Sequence, residues 1–211
     1  PYADSNGNNS GSTYVVFGKE KIIDPIELSD IIESESGFVI HGEYTDDYSG
    51  YSVSAAGDVN GDGLDDLIIG APIREDPFDP SLSPSLTRSG KSYVVFGRSK
   101  VSNAIQLSDV RKGDGGFVIS GQNPGDRSGY SVSTAGDING DGFDDLIIGS
   151  HQADPAEKTN AGNSYVVFGG KDTPSAIDLD EVALGLGGFV IRGEAEADFS
   201  GISVSSAGDF N

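Results

Sequence analysis

Asp58-Val59-Asn60-Gly61-Asp62-Gly63-Leu64-Asp65-Asp66 runs directly into Leu67-Ile68-Ile69-Gly70, and the pattern returns as Asp137-Ile138-Asn139-Gly140-Asp141-Gly142-Phe143-Asp144-Asp145 before Leu146-Ile147-Ile148-Gly149. A third copy begins at Asp209-Phe210-Asn211. Moving outward from these loops, other markers keep the same register. Tyr-Val-Val-Phe-Gly starts at Tyr14, Tyr93 and Tyr165, and Gly-Phe-Val-Ile at Gly37, Gly116 and Gly188; both step by 79 and then 72 residues. Ser52-Val53-Ser54, Ser131-Val132-Ser133 and Ser203-Val204-Ser205 follow the same steps. Self-similarity at one offset along the whole chain marks an array of a single structural unit.

Each unit holds four short segments rich in β-branched and aromatic residues, bounded by Gly, Asp, Asn and Pro, which is the signature of strands. In the most complete unit they lie near 50–56, 66–70, 92–97 and 117–120, and no stretch sustains a helical period. Asp-rich or Gly-rich turns separate neighbours, so the strands are expected to pair antiparallel as a meander. A connector with a recurrent Ile-x-Leu (Ile26 and Leu28, Ile105 and Leu107, Ile177 and Leu179) is expected to plug the space between adjacent sheets. The Ser/Pro-rich stretch 77–89 occurs only in the longer unit and reads as a surface insertion.

Tandem four-stranded antiparallel units, none able to cover both of its faces alone, suit an all-β propeller whose blades pack face to face. The small residues of the first segment (Ser52, Ser54, Ala55, Ala56, Gly57) suit an innermost strand at a narrow channel. A parallel β-helix, the main competitor, has much shorter coils and no need of hairpins. The division expected is a partial blade at 1–36, repeat units at 37–115 and 116–187, and a partial unit at 188–211, all parts of one propeller. Eleven strands are expected, with Val15, Phe17, Val94, Phe96, Val166 and Phe168 alternating with their neighbours between two packed interfaces. Both ends of the chain fall inside blades, as expected of a fragment of a longer polypeptide, and three blades are too few to close a ring of the usual four to eight. Further blades, or self-association, are therefore expected.

The chain has 211 residues, 36% of them hydrophobic, and its 34 acidic against 13 basic side chains give a formal charge of −21. Such a balance argues against nucleic acid, whose phosphates require Lys and Arg, and against anionic membrane surfaces. No apolar run is long enough to cross a bilayer. Cysteine is absent, so there is no disulfide framework.

Position within the loops shows what the acidity serves. Oxygen-bearing side chains at positions 1, 3 and 5 converge when such a loop curls, Gly at 6 permits the bend, position 7 can offer its carbonyl, and Asp at 9 closes the cage. The ligands expected are Asp58, Asn60, Asp62, the Leu64 carbonyl and Asp66 in one loop. In the other they are Asp137, Asn139, Asp141, the Phe143 carbonyl and Asp145, while Asp209 and Asn211 open the third. All-oxygen donors suit a hard cation, Ca2+ before Mg2+. An EF-hand would need Glu at position 12, where Ile69 and Ile148 stand. Asn-Gly and Asp-Gly could serve only as hairpin turns, but a turn does not need four mutually repelling aspartates. Asp65 and Asp144 are expected to face outward as non-ligands.

The run Asp126-Arg127-Ser128-Gly129-Tyr130-Ser131-Val132-Ser133, the Asp-x-Asn-x-Asp-Gly-x-x-Asp loop, and Leu67-Ile68-Ile69-Gly70-Ala71-Pro72 together resemble the FG-GAP repeat of integrin α subunits and their bacterial relatives. The resemblance covers essentially the whole chain. It implies a calcium-stapled propeller, secreted or at the cell surface, that binds its ligand on the face opposite the calcium loops. The Phe-Gly of the name is replaced by Ser49-Gly50, Ser128-Gly129 and Ser200-Gly201, and Ser150-His151 stands where Ala-Pro is expected; neither change touches a metal ligand. The long units and the Ile-x-Leu connector suggest a microbial branch.

Residues that could suggest catalysis have plainer readings. His41 and His151 read as rim or loop residues, and Lys112-Gly113-Asp114 is too short to carry meaning as an adhesion tripeptide. Ser52, Ser131 and Ser203 open a strand in every unit, which marks them as structural. Tyr44, Tyr48 and Tyr51 read either as packing or as a contact surface for sugar or protein. The expected function is thus a calcium-stabilised extracellular scaffold for adhesion or for binding a protein or glycan, not an enzyme. Two alternatives stay open: a structural subunit of a surface layer or filament, and an accessory propeller of a larger secreted enzyme.

Overall fold

A computed structural model of the chain describes residues 1–18, 25–31, 36–72, 89–99 and 104–208. The strands are β1 (Ser12–Val16), β2 (Gly37–His41), β3 (Ser52–Gly57), β4 (Asp66–Ala71), β5 (Lys91–Val95), β6 (Ala104–Gln106), β7 (Gly116–Ser120), β8 (Ser131–Gly136), β9 (Asp145–Ser150), β10 (Asn163–Val167), β11 (Ala176–Asp178) and β12 (Gly188–Arg192). Two short helices, α1 (Leu107–Val110) and α2 (Leu179–Ala183), follow β6 and β11. Three sheets result, in the orders β1-β2-β6, β11-β7-β5-β4-β3 and β12-β10-β9-β8. Within each, strands from the same repeat pair antiparallel, as the turn chemistry predicts. These are propeller blades, here called the first, second and third.

The connectors depart from expectation. Their Ile-x positions form β6 and β11, and each pairs parallel with the outer strand of the preceding blade: Ile40 faces Ile105, and Ile119 faces Ile177. The connector thus extends its neighbour's sheet as well as filling the gap, and Leu107 and Leu179 are fully buried behind it. Ten of the eleven expected strands are present among the described residues. The exception is 203–205, which is not in a ladder. In the other units the corresponding strands β3 and β8 are held by β4 and β9, and among the described residues no such strand follows 205. The insertion 77–89 lies outside the described residues except for Ser89.

Period-2 alternation places the core between blades. On β4 and β5, Ile68 and Val94 join Phe117, Val132, Leu146, Ile148 and Tyr165 in the cluster between the second and third blades. Their neighbours Ile69, Tyr93 and Val95 join Phe38, Ile40 and Ile105 in the cluster between the first and second. Val15 and Phe96 pack against these clusters as the alternation predicts. Phe17 differs, being 44% exposed. It follows β1, which lies at the edge of its sheet with no inner neighbour, whereas β4 and β9 flank the corresponding strands.

Blades meet backbone to backbone at their inner strands. A Cβ added at Gly70 would lie 2.0 Å from the Gly129 carbonyl oxygen, and one at Gly149 would lie 1.9 Å from that of Gly201. Only glycine allows this approach. Gly70→Ala and Gly149→Ala are each expected to destabilise the fold by about 1–3 kcal/mol through overpacking, measured by urea denaturation. Unchanged midpoints would contradict the close approach of the blades.

Candidate metal centre

The two complete Asp loops connect β3 to β4 and β8 to β9, and the same hydrogen-bond set builds both. Asp58 at position 1 turns its carboxylate inward: Oδ1 accepts from the amides of Gly61 (2.8 Å) and Asp62 (3.0 Å), and Oδ2 from that of Gly63 (2.9 Å). Asn60 Oδ1 accepts from the Asp62 amide, and Asp62 Oδ1 from the Leu64 amide. Asp137, Asn139 and Asp141 repeat each of these contacts, with Gly140, Gly142 and Phe143 as the corresponding donors. The curl needs Gly61 and Gly63 at φ of 75° and 87°, a region other residues rarely adopt. Positions 1, 3 and 5 are thus gathered by the loop's own amides.

Position 9 lies deeper. Asp66 is fully buried, with Oδ2 accepting from the Val59 amide (3.0 Å) and Oδ1 from the Gly97 amide (2.8 Å). Asp145 likewise accepts from Ile138 (2.8 Å) and Gly169 (2.9 Å). Burial pushes the Asp66 carboxyl up to about 6, with the charges of Asp62 and Asp58 adding to the effect. Burial also raises Asp145. Each Asp66 oxygen keeps a second lone pair for another partner, while Asp145 takes a third backbone bond, from Asn139.

Among the described residues, no three acidic or histidine side chains converge as a finished metal cage. The donor chemistry nonetheless fits a hard cation: all donors are oxygens, three of the four acidic residues in each loop are expected ligands, and the buried one is made harder to ionise by the others. Asp209 and Asn211 lie outside the described residues.

Asp144 does not face outward. Its Oδ2 accepts from the Asp58 amide (2.9 Å) and its own amide donates to the Asp58 carbonyl (3.1 Å), so the third blade's loop clasps the first residue of the second blade's loop. The Phe143 ring lies against Gly61, and the Gly170 amide donates to the Val59 carbonyl (2.9 Å). Asp65 is exposed, and among the described residues no Asp loop lies beside it.

The remaining candidates make the following contacts. Ser52 Oγ accepts from the Val132 amide and Ser131 Oγ from that of Val204, so each strand-opening serine holds the next unit. His41 lies near Ser12 Oγ (3.3 Å). The His151 ring is buried, its centroid 4.0 Å from that of Tyr130, and burial lowers its pKa to about 4. Tyr51 is 40% exposed and packs on Tyr130 (4.8 Å between centroids), and the Tyr44 ring lies beneath the Lys91 ammonium. Lys112 pairs with Asp109 one turn away.

Sequence reasoning overlooked Glu43. Its buried carboxylate accepts from the Tyr93 hydroxyl (2.8 Å) and from Arg111 Nε, and Lys91 lies 3.7 Å away. At the next interface Gln122 accepts from Tyr165 (2.7 Å), and Asn163 and Ala183 replace Lys91 and Arg111. The signal was present in the register, where carboxylate goes with two cations and amide with none.

The FG-GAP repeat family model matches residues 49–95 and 128–167. Integrin alpha pat-2 of Caenorhabditis elegans is 31% identical over 204 residues, covering 93% of this chain and 15% of that protein. Integrin alpha-5 of Xenopus laevis is 31% identical over 137 residues, 65% of this chain and 11% of that protein. Phosphatidylinositol-glycan-specific phospholipase D of Homo sapiens is 28% identical over 194 residues, 92% and 20% respectively. The chain therefore spans about a fifth or less of the length of these relatives.

The clasp between loops separates two aspartates that look equivalent in sequence. Asp144→Ala is expected to cost about 1–3 kcal/mol by orphaning a backbone donor, while Asp65→Ala stays within about 0.5 kcal/mol, as is usual for surface changes. Equal effects in thermal or urea unfolding would remove Asp144 from the interface between blades.

Proposed function

This chain carries FG-GAP repeats homologous to those of integrin α subunits, and from that premise we propose that it is a calcium-stabilised, extracellular propeller segment presenting a binding surface for a protein or glycan. The observation that carries the calcium reading is the duplicated loop geometry. Two loops 79 residues apart make the same eight hydrogen bonds, and each carries three carboxylates proposed as ligands, whose repulsion a cation would offset. Asp58, Asn60, Asp62, the Leu64 carbonyl and Asp66 would hold one ion. Asp137, Asn139, Asp141, the Phe143 carbonyl and Asp145 would hold the second, and Asp209 with Asn211 would begin a third site. When bound, calcium supplies a positive charge that neutralises these carboxylates and cross-links the strands they join.

The partners proposed are an extracellular ligand together with further blades of the intact protein or a self-association partner. Cell-surface or secreted placement follows from the integrin relatives by analogy. Among the described residues, no helix is long and apolar enough to cross a membrane. A second reading, an accessory propeller of a larger secreted enzyme, is favoured by the phospholipase D relative, which aligns over nearly the whole chain.

Extracellular sites of this chemistry bind at about 10⁻⁴–10⁻³ M, so millimolar calcium would stabilise the fold by about 0.4–1.4 kcal/mol per site. Chelation is expected to lower the melting temperature by about 2–10 °C. Calcium should restore it better than magnesium, and Asp62→Ala and Asp141→Ala should each remove part of the response. Unchanged melting in excess chelator, with no metal found beforehand by elemental analysis, would reduce the loops to turns.

A further inference from the structure

Asp144 ties the two proposed ligand sets together. It stands in the chain between Phe143, whose carbonyl is a proposed ligand in the second loop, and Asp145, which is another. Its own partner is Asp58, a proposed ligand in the first loop. Asp144 Oδ2 accepts from the Asp58 amide (2.9 Å), and the Asp144 amide donates to the Asp58 carbonyl (3.1 Å). Both backbone groups of one ligand are therefore bonded to a residue flanked on each side by ligands of the other set.

A second path runs beside the first. The Val59 amide donates to Asp66 Oδ2 (3.0 Å), and the Val59 carbonyl accepts from the Gly170 amide (2.9 Å). The adjoining Gly169 amide donates to Asp145 Oδ1 (2.9 Å). Asp66 and Asp145, the buried acids at position 9 of the two loops, are thus linked through Val59, Gly170 and Gly169. The path is tightly packed, since a Cβ added at Gly169 would collide with the carbonyl oxygens of Asp144 and Val59. The Phe143 ring makes a third contact, against Gly61, whose amide is one of the donors that orient Asp58.

We propose that the two loops form one coupled calcium-binding unit, in which the Asp144 clasp transmits occupancy of either loop to the other and makes binding cooperative. The coupling presupposes the calcium reading above. Its sign follows from the connections. Fixing the Phe143 carbonyl and Asp145 in the second loop fixes Asp144 between them, and with it the Asp58 backbone and the ring over Gly61. Part of the ordering that the first loop needs is then already met, so its own binding loses less conformational freedom. Each loop carries four aspartates, at 58, 62, 65 and 66 and at 137, 141, 144 and 145. Either loop therefore stays negative around a doubly charged ion, which limits repulsion between filled sites. Linkage requires the effect to be reciprocal, and couplings of this kind are typically about 5- to 150-fold.

Hydrogen-exchange mass spectrometry across a calcium titration separates the loops through peptides covering residues 58–66 and 137–145, while peptides from β5 and β10 report that each variant is folded. In the wild type both loops are expected to gain protection over one shared, steep range of concentration. Asp141→Ala, which removes a ligand from the second loop, should raise the midpoint of the first loop about fivefold or more. In an Asp144→Ala background the same change should move that midpoint by less than about twofold, as for independent sites. Phe143→Ala keeps the carbonyl but takes the ring from Gly61, and is expected to weaken the shift. Asp144→Asn keeps an acceptor for the Asp58 amide without the charge, and Asp65→Ala removes the same charge from the equivalent position of the first loop; both should retain the shift. Loss of the shift in either of these two would assign it to charge and overturn the clasp. Independent midpoints in the wild type, or a shift undiminished in both Asp144→Ala and Phe143→Ala, would overturn the coupling while leaving two separate calcium sites. Loops that ignore calcium in the wild type would overturn the calcium reading and the coupling with it.

Discussion

The outer strand of each complete interface bonds in parallel to three residues that belong to the following unit, and the neighbouring apolar faces close behind that seam. A four-stranded sheet with residues such as Ile68 and Ile69 pointing to opposite sides has two faces to cover and an edge to satisfy. A unit of this size cannot do both alone, so each becomes stable only against its neighbour. The glycine contacts and the strand-opening serines join the same blades at their inner strands, and the buried tyrosine hydroxyls lie between them. They determine how closely, and in what register, one blade meets the next.

The Asp loops extend that logic to one rim of the array. Asp144 clasps Asp58, and Phe143 covers Gly61, so a loop that orders its own blade also braces the loop before it. An ion held in either loop would therefore stiffen a joint between blades as well as a hairpin.

Much of this was legible in the residues. The spacing of Tyr14, Tyr93 and Tyr165 gave the array, and the alternation of Val94 with Tyr93 and Val95 gave two buried faces. The Asp-x-Asn-x-Asp-Gly pattern located the loops whose amide networks the structure displays. Features that depend on the next unit in space were not legible. Three residues, such as Ala104-Ile105-Gln106, carry too little pattern to announce a strand, and their partner lies more than sixty residues away. Asp144 and Asp65 look alike until one loop is set beside another. Glu43 went unnoticed because nothing local shows that Tyr93 and Arg111 will reach it.

The most direct measurement is residue-resolved amide hydrogen exchange at low concentration. Val118 donates to Ser175 of the following connector, while Val190 occupies the same place in β12, where the described residues offer no partner. If blades are joined by their connectors, Val118 should be protected close to the global stability of the fold and Val190 should exchange far faster. Comparable exchange at the two amides would contradict the account, because it would mean that the connector strand does not hold one blade to the next.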